Sequence, residues 1–170
     1  TLTYTVEAGL VPSIVEPESL PVANALNNLG NIQAMQGRHH DAEATLRRSF
    51  AMHERLFGAP HARTANVARN LGVVLGLQLR YAEAEGWLSR AIALRASAGG
   101  GPEATAWMRT QRASMQARAG RVDAALADAE RAVADLTSAG TPPLLAQRAE
   151  SLLLYGGLLV NAGRASDALG

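Results

Sequence analysis

Cysteine is absent from the 170 residues, so no disulfide, thiolate nucleophile or cysteine-based zinc site exists within them. Lysine is absent as well: all sixteen basic residues are arginine. A Schiff-base lysine and a phosphate-loop lysine are thereby excluded. Aromatic residues make up only 4% against 48% for all hydrophobic residues, so a core here is built mainly from Ala, Leu and Val. Ala and Leu are among the best helix formers, which points to an all-α chain. Sixteen positive and fifteen negative side chains leave a net charge of +1, without the basic excess that a nucleic-acid binder carries. No apolar run reaches the roughly 18 residues that cross a bilayer. No basic–apolar–small leader opens the chain either. A cytoplasmic protein with neither nucleic-acid nor membrane partners is therefore expected. Arginine and alanine in place of lysine and serine also fit GC-rich coding, which points to a bacterial source. The chain begins at Thr1 and stops at Gly170 just after a helical pattern has restarted, so both ends read as cuts in a longer protein.

What is present is a repeat. Val22–Arg63 set above Thr64–Thr105 matches at an offset of 42 residues. Asn28-Leu29-Gly30 falls on Asn70-Leu71-Gly72, and Arg38-His39-His40-Asp41-Ala42-Glu43 falls on Arg80-Tyr81-Ala82-Glu83-Ala84-Glu85. Further copies of the turn begin at Gly120-Arg121 and Gly163-Arg164, giving steps of 42, 41 and 43 residues. Breaker clusters separate the copies: Gly58-Ala59-Pro60, Gly99-Gly100-Gly101-Pro102 and Gly140-Thr141-Pro142-Pro143. Glycine stops a helix and proline starts the next. The spacing predicts helices near 21–36, 40–56, 63–78, 81–97, 103–119, 122–138, 143–162 and from 165 onwards. Residues 1–16 stand apart. Thr1–Val6 alternates like a strand, and Ala8–Val15 reads as the tail of a preceding helix.

Leu26-x-x-Leu29-Gly30 followed by Ala42-x-x-x-Leu46 resembles the tetratricopeptide (TPR) pattern, and Leu152-x-x-Tyr155-Gly156-x-x-Leu159 matches it too. The 42-residue step, the Asn-Leu-Gly core and the Gly58-x-x-His61 linker resemble the kinesin-light-chain subtype, whose helices are longer than usual. The resemblance covers residues 17–170, with repeats at 22–63, 64–105, 106–148 and 149–170, the last truncated. It implies an all-α, right-handed α-solenoid of antiparallel helix pairs. Gly30, Gly72, Ala113 and Gly156 are expected where the two helices of a pair approach closely, opposite Ala42, Ala84, Ala125 and Ala168. Leu29, Leu71, Leu46 and Leu88 are expected to fill the surrounding space. Repeat three departs from the pattern. Arg109 and Arg112 stand where large apolar residues are expected, with Met108 and Met115 out of phase. Local repacking around the methionines is the first reading, and arginines facing a partner is the other.

Asn24, Asn27, Asn28 and Asn31 recur at i, i+3, i+4 and i+7, on one helix face about 100° wide. Asparagine is a poor helix former, costing up to about 0.7 kcal/mol per site against alanine, so something other than helix formation is expected to keep this stripe. The same columns hold Asn66, Arg69, Asn70 and Val73 in repeat two, then Trp107, Thr110, Gln111 and Ser114 in repeat three. In repeat four they become Glu150, Leu153, Leu154 and Gly157. The resemblance implies that these columns line a concave, peptide-binding groove, amide-rich in its first half and apolar at its far end. Asn24, Asn27, Asn28, Asn31, Asn66, Arg69, Asn70, Trp107, Gln111 and Ser114 are its candidate residues. Arg69 is available for an acidic group. The carboxylate clamp of chaperone-binding relatives needs lysine and arginine at defined groove positions; without lysine its pattern is not met, and a C-terminal acidic peptide of that kind is not expected.

Catalytic readings fare poorly. His39 and His40 are adjacent on a turn and point apart, and neither they nor His61 has the i, i+4 partner spacing of a metal site. Asp41 and Glu83 open helices, where a carboxylate complements the helix dipole. No metal, no cofactor and no catalytic residue is expected. The function read from the sequence is a protein- or peptide-binding scaffold. The alternatives are a regulatory domain of a larger enzyme, with the protease or nucleotide-hydrolysing part elsewhere, or a self-assembly module that forms homo-oligomers through its solenoid ends.

Overall fold

The structure is a computed structural model that describes residues 19–58, 60–138 and 145–163. Seven helices follow one another: α1 (Leu20–Met35), α2 (His39–Phe57), α3 (Ala62–Leu77), α4 (Tyr81–Ser97), α5 (Pro102–Arg118), α6 (Val122–Ser138) and α7 (Leu145–Asn161). The boundaries lie within two residues of those the breaker spacing predicts. The expected eighth helix, and both readings of residues 1–16, fall outside the described residues.

Each hairpin turn is built from the same local chemistry. At the end of α1, Gly37 takes a left-handed backbone with φ 76°. Its N–H reaches the Ala34 carbonyl, and the Arg38 N–H reaches that of Gln33 at 2.9 Å. This pair of bonds caps carbonyls that the ending helix leaves unpaired, and a left-handed residue makes it fit. Gly120 repeats the arrangement after α5. Pro21 and Pro102 sit in the first turns of α1 and α5, where a missing N–H costs nothing.

The helices pair antiparallel as α1–α2, α3–α4 and α5–α6, and each pair packs on the next. Odd-numbered helices also touch one another in sequence, from α1 through α3 and α5 to α7. The result is a TPR-like solenoid with the odd helices along one wall. Close approach within a pair depends on small residues. A Cβ added at Gly30 would lie 2.6 Å from Leu46 Cγ, and one at Gly72 would lie 2.7 Å from Leu88 Cγ. Ala42, Ala84, Ala113 and Ala125 are fully buried, as are Leu46, Leu71 and Leu88.

One packing expectation needs correction. Leu29 is 44% exposed, whereas its repeat-two counterpart Leu71 is fully buried. Leu71 is covered because α2 packs on α3, but among the described residues no helix precedes α1. Ile32 is exposed for the same reason, whereas its counterpart Val74 is buried. At Gly156, nothing described lies within 4 Å of an added Cβ. Its expected partner, Ala168, lies outside the described residues. Among the described residues no helix is long and apolar enough to cross a membrane.

Candidate functional site

Three adjoining cavities follow the wall of odd-numbered helices. The first, about 570 Å³, is lined by Asn27, Asn31, Asn66, Arg69, Asn70 and Trp107, with Arg95, Glu103 and Gln147 at its border. The second, about 330 Å³, shares Asn31, Arg69 and Asn70 and adds Met35, Val73, Leu77 and Gln111. The third, about 450 Å³, shares Val73 and Gln111 and runs to Ser114, Met115, Glu150, Leu153 and Leu154. Shared residues join the three into one groove crossing four repeats. It exists because the 42-residue step brings the same helical face of each odd helix to the same wall.

Eight of the ten candidate residues line this groove: Asn27, Asn31, Asn66, Arg69, Asn70, Trp107, Gln111 and Ser114. Asn24 and Asn28 line none of the three cavities. Asn24 is half-buried, its Oδ1 3.4 Å from Nε2 of the buried His53. Asn28 is exposed on α1, with no helix before it among the described residues to wall in its side. The columns also bring in residues that the stripe alone does not show: Met35 and Leu77 at one edge, and Arg95 and Glu103 at another.

The asparagines do more than line the wall. Asn70 is buried and its Nδ2 donates to Oδ1 of Asn27 at 2.9 Å, tying α3 to α1. Arg69 in turn donates through one terminal nitrogen to Oδ1 of Asn70 at 2.9 Å. Burial pushes the Arg69 guanidinium below its ordinary pKa. Nε of Arg69 and Oε1 of Gln111 are both enclosed without a hydrogen-bond partner.

Arg109 and Arg112 turn away from the groove towards α6. Nε and one terminal nitrogen of Arg112 grip Asp128 at 2.6 and 2.7 Å, and its other terminal nitrogen reaches Oγ of Ser89 at 2.9 Å. Arg109 lies 3.6 Å from Asp135 and 4.0 Å from Asp128. Asp128 and Asp135 are both buried. The arginines are thus engaged within the chain, and repeat three replaces apolar packing with an internal ionic lattice. Met108 is buried in the core, and the sulfur of Met115 fills the space beside Gly76.

The histidines have structural surroundings. His61 caps α3, its Nδ1 accepting the Arg63 N–H at 3.2 Å, and its ring stacks on Phe57 at 4.1 Å. His39 is half-buried at the start of α2, and His40 is exposed. His53, which the repeat pattern did not single out, is buried, with Nδ1 2.8 Å from the Ser49 carbonyl. Among the described residues, no group of three or more His, Asp or Glu side chains is placed to hold a metal.

A family model described as tetratricopeptide repeat matches residues 21–97, which span α1 to α4. No curated protein matches the chain by sequence. Solved structures match by fold. BtubC (BKLC) from P. vanneervenii is 17% identical with a TM-score of 0.77, over 86% of this chain and 58% of that one. The chain thus spans little more than half the length of that relative. A putative kinesin light chain with nearly identical TPR-like repeats, from Podosopora anserina, is 17% identical with a TM-score of 0.73, over 85% and 69% of the two chains. The Yersinia enterocolitica type III secretion chaperone SycD, solved with a peptide of the translocator YopD, is 14% identical with a TM-score of 0.67, over 85% and 97%. The chain is a TPR-like helical-repeat domain, similar at low identity to kinesin-light-chain-type repeats.

Proposed function

We propose that this chain is a non-enzymatic interaction module of the kinesin-light-chain-like subtype, whose groove holds an extended segment of another protein. One observation carries the reading: three cavities, joined by shared residues, run along the odd-numbered helices and present amides at one end and leucines at the other. Amides suit an extended backbone because each both donates and accepts. An apolar side chain fits the Val73–Leu153–Leu154 end, where Leu153 is 78% exposed and gains from being covered. SycD, of the same fold, was solved with a peptide bound.

The test is to select peptides from a random phage-displayed library and measure their affinity by calorimetry. Ser114→Trp fills the third cavity from a half-buried position and leaves the core alone. It should weaken the selected peptides at least about tenfold, since displacing a buried apolar side chain removes roughly 1.5–3 kcal/mol. Unchanged affinity in a folded Ser114→Trp protein would place binding elsewhere.

A further inference from the structure

The outward faces of α1 and α3 are built from matching columns. Ala25, Leu29 and Ile32 of α1 stand where Val67, Leu71 and Val74 stand in α3, 42 residues on. α2 packs on α3, and all three of the α3 residues are buried. Their α1 counterparts are exposed, Ile32 to 50%, and among the described residues no helix precedes α1. An apolar stripe of this kind gains from being covered.

Beside this stripe, the turn after α1 carries only half of a polar clamp. Arg80, in the turn after α3, holds Glu83 of its own repeat and Glu43 of the preceding one, each at 2.6 Å. Gln78 donates to the same Glu43 at 3.0 Å, and Arg121 likewise reaches back to Glu85. In the turn after α1, Arg38 lies 3.8 Å from Asp41, the counterpart of Glu83, and donates to Gln36, the counterpart of Gln78. Among the described residues no carboxylate takes the place of Glu43 there. Leu29, Ile32, Gln36 and Arg38 line none of the three groove cavities, so this surface is separate from the groove.

The chemistry that fits the face follows from what covers its counterpart. α2 gives Glu43 to the next turn, and Phe50, seven residues later, joins the buried cluster of Val67, Leu71 and Val74. α4 repeats the pair with Glu85 and the buried Ile92. Residues 1–18 do not supply it, since the 42-residue step puts Thr1 and Ala8 in those two places. Their one pair of this kind, Glu7 and Ile14, is six residues out of step and encloses Pro12, which breaks a helix. A second copy has none to spare. Its Glu43 and Glu85 are engaged within their own chain, and no other described glutamate has a large apolar residue seven positions on.

We propose that the outward face of α1 docks an amphipathic helix of a separate protein. That helix sets a glutamate against Gln36 and Arg38 and, seven residues on, a large apolar side chain over Leu29 and Ile32. It completes the clamp as Glu43 does for Arg80.

The experiment titrates three stapled, fluorescein-labelled 17-residue helices with the whole chain and follows fluorescence anisotropy. One carries Glu and Phe seven positions apart on an alanine–glutamine background, the second has Gln for that Glu, and the third has Ser for that Phe. The Glu–Phe helix should bind at least about tenfold tighter than the Glu–Ser helix. It should bind about threefold tighter than the Gln–Phe helix. Arg38→Gln should erase the second difference and keep the first. Ile32→Gln should weaken the Glu–Phe helix about tenfold. It should leave the unfolding midpoint no lower, because Ile32 is half-exposed and glutamine is the better helix former. A Glu–Phe helix that binds no tighter than the other two, or binds Ile32→Gln as tightly as the parent, would overturn the proposal. A midpoint lowered by Ile32→Gln would overturn it too, by showing that the same chain already covers the face. So would a dimer in sedimentation that Ile32→Gln dissolves, which would assign the face to a second copy.

Discussion

Leu79 holds a left-handed backbone, φ 63°, at the turn position where the other three repeats carry Gly37, Gly120 and Gly163. It makes the same capping bonds as Gly37 and Gly120 do, its N–H to Gly76 and that of Arg80 to Leu75, both at 3.0 Å. A side chain in this region costs about 1 kcal/mol, and Leu79 recovers little of it because it is 69% exposed. At Gly72 the balance reverses, since an added Cβ would lie 2.7 Å from Leu88 Cγ and 3.1 Å from the Ala84 carbonyl. Leu79→Gly should therefore raise stability by about 0.5 kcal/mol, the strain relieved less the extra freedom glycine gives the unfolded chain. Gly72→Leu should lower it by about 3 kcal/mol, the upper end for overpacking. Urea denaturation of the two variants checks both signs, and a Gly72→Leu midpoint equal to the parent's would show the packing register to be wrong. The Gly72 contact was legible in the sequence because small residues recur at a fixed step. The arginine lattice of repeat three was not, because whether Arg109 and Arg112 face a partner or Asp128 and Asp135 depends on helix rotation that the pattern leaves open.

Between helices, the turns are tied by a recurring ionic clamp. Glu43 of α2 receives Arg80 at 2.6 Å and Gln78 at 3.0 Å from the next turn, and Arg47 at 2.8 Å from its own helix. One repeat later Glu85 of α4 receives Arg121 and Gln116. The glutamates and arginines both recur in the aligned turns, but their pairing runs from one repeat to the next, so only the superhelical stacking reveals it. Burial alone would raise the pKa of Glu43. Hydrogen bonds from Arg47 and Gln78, together with the charges of Arg80 and Arg47, outweigh it and hold the carboxyl below its ordinary value of 4.5. A folded-state pKa below the unfolded one means the clamp stabilises fully above that value and is lost as pH falls through the folded pKa. Glu43→Gln should thus cost about 1 kcal/mol near pH 7. The gap to the parent should narrow as pH falls below the ordinary carboxyl value of 4.5 and close once it has passed the lower folded-state pKa. Chemical denaturation across that range measures it; a gap that stays constant would show that the carboxylate's charge is not what contributes.

Over the whole molecule, the odd-numbered helices make the groove and the even-numbered ones buttress it. The sequence showed this division through its columns: residues 24, 27, 28 and 31 and their counterparts 42 residues on share one face. It did not show that Asn28 lies outside the cavities, because helical periodicity says which side a residue takes but not whether a neighbouring helix walls that side. It left open whether the asparagines bind a segment or tie one repeat to the next; Asn70 is buried and bonded to Asn27, so that part of the stripe ties repeats together while it lines the groove. The central claim is that an extended segment lies along this wall. Amide chemical-shift mapping of the labelled chain, titrated with a peptide selected from the phage library, tests it most directly. The account predicts shifts concentrated in α1, α3, α5 and α7, centred on Asn31, Arg69, Gln111 and Leu154. Shifts concentrated in α2, α4 and α6 would contradict it.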